Sequence, residues 1–273
     1  MTETHSHLHD WFGDWSFLVP AVATAAALAV GGGAAGPVVL SRRESLMALA
    51  VPHAVTVGVA VGMRWGFPTL PCGVLAAAAV LALLTLVRRR GGDQLLLPGL
   101  LVAGVCFAIL VVAGSGEHLA EVEHRFVGID VAVDDATAVG AGITLTLTGL
   151  AVGLLWRRWL SIAQLPDAAA LAGVRPWRWH AAFWAMLSAI LIVGTDAVGP
   201  TMVLALLFLP AGTIMPWVRR LPSAMVGAVL LGWAFLAAGV ALSVHMEWPL
   251  SHSVGAVGFA AAAVSNLAAS ARP

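Results

Sequence analysis

Apolar runs close to the length of a membrane crossing recur from end to end of this chain. A membrane-spanning helix needs about 20 predominantly apolar residues, and candidate runs fall at 17–40, 46–63, 69–87, 95–114, 137–156, 180–195, 198–216, 222–243 and 253–269. No water-soluble fold has the interior to hide them all. Composition agrees, with 60% apolar and 10% charged residues where a soluble domain carries about a quarter charged. The expected fold is therefore all-α and polytopic, with about nine transmembrane helices, or eight if 180–216 is not a clean helical pair. Gly31, Gly32, Gly33, Pro37, Pro52 and Pro210 lie inside these runs. Membrane helices tolerate such residues because neighbouring groups satisfy the freed backbone.

Charge is sorted by side. All fourteen basic residues are arginine, and positive residues collect in cytoplasmic loops. With the N-terminus outside, twelve of the fourteen fall inside, only Arg64 and Arg125 outside. Eleven of fourteen acids fall outside, the exceptions being Glu44, Asp93 and Asp167, and seven of nine histidines join them. Residues 1–15 form a His- and acid-rich extracytoplasmic tail, and 16–270 the transmembrane domain. The tail lacks the cationic region of a cleavable signal peptide, so the first apolar run is expected to be retained. The chain is expected to be a multi-pass protein of a bacterial cytoplasmic membrane.

Two function classes drop out. A net charge of zero gives no basic surface for nucleic acid. The absence of lysine rules out a Walker A site, which needs that side chain on the nucleotide phosphates. If ATP drives this protein, a separate subunit hydrolyses it; the chain is expected to be no enzyme and to hold no cofactor. Cys72 and Cys106 sit in separate apolar runs and read as packing residues, neither disulfide nor metal site.

Four constellations carry chemistry. The segment 160–175 is too short and polar to span and is flanked by arginines. Pro166 and Asp167 can start a short helix and Gly173 can end it. Such a helix can seat on a partner ATPase, although an ordinary interfacial loop would look similar. On the outer side, Glu117, Glu121 and His124 fall within about 60° on a helix, with His118 and Glu123 alongside. Carboxylate and imidazole ligands suit zinc or manganese; a solvated acidic loop, or a docking surface for an extracytoplasmic metal carrier, fits as well. His5, His7 and His9 in the tail can gather cations weakly, though a tail with no defined role is the simpler reading. His53 follows Pro52 within the second run. An ionisable group at that depth tends to face a bundle interior or an aqueous path, and neutral imidazole is a good metal ligand. The alternative is a histidine bonded to a neighbouring helix.

The stretch Gly36 to Gly58 (GPVVLSRRESLMALAVPHAVTVG) resembles the permease family of zinc and manganese ABC importers. That family shows a glycine, an apolar run, a double-basic turn, then an aspartate four residues before a histidine-alanine pair. Further matches keep chain order: Phe126-Val-Gly128 on the outer side, Asp167 to Gly173 in the cytoplasmic segment, and Val198-Gly199 followed by an apolar run ending at Pro210-Ala211. Two positions depart. Leu49 stands where the family has its aspartate, and Ile129 where an aspartate often follows the outer glycine.

The resemblance implies a homodimer over two cytoplasmic ATPase subunits, with an extracytoplasmic metal-binding protein docking outside. The cargo would be a divalent metal, zinc first and manganese next. His53 would be a station on the path, Glu117, His118, Glu121 and His124 outer metal ligands, and Asp167 to Gly173 the contact with the ATPase. An ATPase-independent secondary transporter is the main alternative, but it would be expected to carry intramembrane carboxylates for ion coupling. An ABC permease for another cargo is the second, given Leu49. A membrane anchor would need no polar group at depth, and an intramembrane metalloprotease would show a His-Glu-x-x-His motif, which is absent.

Overall fold

The computed structural model describes residues 18–88, 135–246 and 248–271. The described residues form α1 (Leu18–Ser41), α2 (Ser45–Trp65), α3 (Thr69–Arg88), α4 (Asp135–Gln164), the short α5 (Pro166–Leu171), α6 (Pro176–Ile214), α7 (Leu221–Met246) and α8 (Leu250–Ser270). Six of these are long and apolar enough to cross a membrane, and most of α3 is a shorter apolar helix. Every expected run that falls on described residues is helical; the 95–114 run lies outside them.

The long α6 is two helices. Gly199 interrupts it with φ 83° and ψ 159°, a conformation that side chains rarely adopt. Pro200 follows, with no N–H to leave unsatisfied at a helix start. Both halves lie against the middle of α1: a Cβ added to Gly31 would sit 3.6 Å from Ile190, and one on Gly32 3.1 Å from the Leu206 carbonyl. In one straight helix residues 190 and 206 would be about 24 Å apart. Residues 176–198 and 200–214 therefore run in opposite directions, as the helical pair expected from the sequence.

α1 is the hub, and its small residues explain why. Lipid is as apolar as a leucine side chain, so helices in a membrane associate through close packing more than through the hydrophobic effect. A Cβ on Gly31 would lie 2.9 Å from the Leu145 carbonyl of α4, and one on Gly33 2.7 Å from the Val229 nitrogen of α7. Gly36 similarly abuts the Leu207 carbonyl of the second half of α6. Glycine in this run thus lets one helix touch three partners at backbone distance. Around it, Leu28, Leu145, Phe183, Leu187, Leu206 and Leu207 are fully buried, while Ile143, Leu147, Leu150 and Leu154 of α4 and Val226 and Leu230 of α7 face outward. An apolar exterior suits lipid contact.

Gly33→Val should consequently lower the detergent melting temperature, because backbone atoms of α7 cannot yield as a side chain can. Overpacking of this kind costs about 1–3 kcal/mol. Gly153→Ala, on a residue with nothing within 4 Å of an added Cβ, is the control and should melt as the parent. Equal melting of both variants would remove close α1–α7 contact from the account of stability.

Candidate metal path and coupling segment

Along α2, residues Ser45, Leu49, His53, Val57 and Val61 are each partly exposed, while Ala48, Ala50, Val51, Ala54, Val55 and Val59 are buried. A spacing of four residues sets each of these one turn from the next and about 40° further round, so they form a stripe that winds along the helix. His53 therefore lies on the face that a single chain leaves partly open. Its Nδ1 is 3.0 Å from the Leu49 carbonyl one turn earlier. A carbonyl only accepts, so in the neutral ring Nδ1 carries the hydrogen and Nε2 the lone pair. Metal-ligating histidines are oriented in this way, with one ring N–H donated to a carbonyl or carboxylate. Leu49 cannot supply a carboxylate, but its backbone orients the imidazole.

Pro52 removes one backbone donor from α2, and Thr56 Oγ1 donates to the Pro52 carbonyl at 3.0 Å. Past this point Gly58 lets α3 close in, since an added Cβ would meet the backbone of Cys72 and Gly73. Cys72 is a free, half-buried thiol; Cys106 lies outside the described residues. Among the described residues no three His, Cys, Asp or Glu side chains gather into a metal-binding group.

The candidate coupling segment, 160–175, folds as its sequence suggests. α5 opens with Pro166 in its first positions and Asp167 in its first turn, where a carboxylate complements the helix dipole. Gly173, at φ 75°, ends it: Gly173 N–H donates to Ala170 and Val174 N–H to Ala169, both at 3.0 Å. This is a Schellman closure, which needs a left-handed residue at that position. The segment stands away from the bundle, with Leu171 91% exposed and Asp167 exposed beside it.

Glu117, His118, Glu121 and His124, the tail at 1–15 and Phe126-Val-Gly128 lie outside the described residues. Sequence reasoning missed one polar feature: Arg42 and Glu44, in the turn before α2, are a buried ion pair that also reaches Trp159 and His180. The one signal available was an acid on the arginine-rich side. Its partners, more than a hundred residues away, were not legible.

Residues 14–269 match the ABC 3 transport family. The chain is 26% identical to the manganese import system permease protein ScaB of Streptococcus parasanguinis, over 82% of this chain and 80% of that protein. It is 24% identical to the chelated iron transport system membrane protein YfeC of Yersinia pestis, over 74% and 69%. Among solved structures it is similar to PsaBC from Streptococcus pneumoniae in complex with Fab, with a TM-score of 0.82 at 19% identity, covering 95% of this chain and 94% of that one. At that identity the likeness concerns the fold.

Proposed function

Because the chain belongs to the ABC 3 transport family, we propose that it is the membrane-spanning subunit of an importer for a divalent transition metal, driven by a separate ATPase. It is a multi-pass permease. The observation that carries the reading is His53: an imidazole on the open face of a membrane helix, its Nδ1 held by the Leu49 carbonyl.

Manganese moves ahead of zinc as the cargo. Zinc is the first expectation from the resemblance, but relatives are named for manganese and chelated-iron import, and none of those names is zinc. Manganese accepts oxygen ligands readily, so backbone carbonyls and waters can complete the shell around one imidazole. A path of few, weak sites releases its ion. The open face of α2 suits a second copy of this chain across a shared path. Outside, Glu117, His118, Glu121 and His124 would attract cations or seat a metal-carrying protein; inside, Asp167 to Gly173 would contact the ATPase.

The test is uptake of radioactive manganese in cells lacking their own importers, with the ATPase co-expressed and unlabelled zinc, iron and manganese as competitors. Uptake is expected to require the ATPase and to be suppressed most by manganese. Stronger suppression by zinc or iron would reassign the cargo. Uptake independent of any ATPase would overturn the reading.

A further inference from the structure

Three parts of the chain far apart in sequence meet at one buried guanidinium. Arg42 donates from Nε to Glu44 Oε2 and from Nη2 to Glu44 Oε1, each at 3.0 Å. Its Nη1 donates to the Trp159 carbonyl at 3.0 Å, and Nη2 lies 2.8 Å from His180 Nδ1. Arginine only donates, so that imidazole nitrogen is the acceptor. The guanidinium carbon also stands 4.2 Å from the centre of the Phe183 ring. The Arg42 and Glu44 side chains are 3% and 5% exposed.

The placement of these partners matters more than their number. Trp159 is near the end of α4 and His180 near the start of α6, and between them in sequence lies the candidate coupling segment, which carries α5. Glu44 immediately precedes α2, and its carbonyl accepts the Ala48 N–H at 3.1 Å. His53 lies on that same helix. The guanidinium thus ties both anchors of the ATPase-facing segment to the start of the helix that carries the candidate metal ligand. The Arg42–Glu44 pair is buried and bonded on both carboxylate oxygens, and such a pair resists partial opening because each freed charge would lack a partner in a low-dielectric setting.

The neighbouring Arg43 differs in kind. It is exposed, at φ 55°, and closes α1 through Arg43 N–H to Leu40 and Glu44 N–H to Val39. Glycine usually holds that position.

We propose that Arg42 and Glu44 are positioning residues that pass movement of the coupling segment to the His53 helix. This rests on the permease reading above. The experiment uses the permease co-purified with its ATPase and reconstituted in liposomes, with its metal-carrying protein loaded with manganese and supplied on the outer side, and manganese taken up per ATP hydrolysed as the readout. Arg42→Lys, which keeps the charge and loses the fork, should retain ATPase binding and hydrolysis while uptake per ATP falls at least about fivefold, the low end of inter-site coupling. Arg43→Gly should match the parent. If Arg42→Lys fails to assemble, the pair Arg42→Met with Glu44→Leu, which leaves no unpaired charge, carries the same expectation. A parental uptake-to-ATP ratio in whichever variant assembles overturns the link. Absence of metal-dependent hydrolysis in the parent itself would instead sink the permease reading.

Discussion

His53→Ala should nearly abolish metal uptake while leaving membrane insertion and ATPase binding at parental levels. Losing even an outer partner of a ligating histidine costs about 10–100-fold, so losing the ligand itself should cost at least about tenfold. The side chain is only partly buried and lies outside the fully buried core, so the fold should survive its truncation. His53→Gln separates this from a structural role: a residue needed only for a local hydrogen bond would be rescued by glutamine, and a metal ligand would not. Leu49→Asp gives the converse. Leu49 is on the same partly open face, where a carboxylate is sterically admissible, and its backbone bond to His53 does not depend on the side chain. The variant should bind the ion more tightly and release it more slowly, since a deeper site holds its ion longer. Radiometal uptake at expression matched by immunoblot decides. Full uptake by His53→Ala would remove His53 from the path.

The second large effect concerns Asp167 and Gly173. Asp167→Arg reverses a charge on an exposed helix, where a substitution changes stability by about half a kcal/mol or slightly more with the dipole included. It should nevertheless abolish co-purification of the ATPase. At Gly173 two effects must be separated. Any side chain there is strained by about 1–2 kcal/mol at a left-handed φ, but nothing lies within 4 Å to obstruct it. Gly173→Ala carries the strain alone, and Gly173→Trp adds bulk on the same exposed surface. ATPase binding should weaken modestly in the first and disappear in the second. Equal loss in both would assign the effect to the shape of the segment, and stable co-purification by both, with Asp167→Arg also retained, would place the ATPase contact elsewhere.

The crossing helices were legible because a bilayer imposes a length on every apolar run; the division between 180–195 and 198–216 was expected a few residues early, and it falls at Gly199-Pro200 because glycine and proline together end a helix. The end of α5 was legible for the same reason: Gly173 is the residue a left-handed closure requires. All of these are local constraints, decided within a few residues. The burial of Arg42 and Glu44 was not local. Read along the chain, they were two more charges on a basic side, and only the packing of α4 and α6 against the turn before α2 brought Trp159 and His180 into reach. The hub role of α1 was likewise invisible, since Gly31, Gly33 and Gly36 announce small side chains but not which backbones approach them. At His53 the two levels met. Sequence placed an imidazole at membrane depth without its usual carboxylate; tertiary structure decided that the ring is anchored on the Leu49 carbonyl and only partly covered by the rest of the chain. Periodicity and turn chemistry determine elements, whereas a long-range contact depends on which surfaces a three-dimensional packing leaves unfilled.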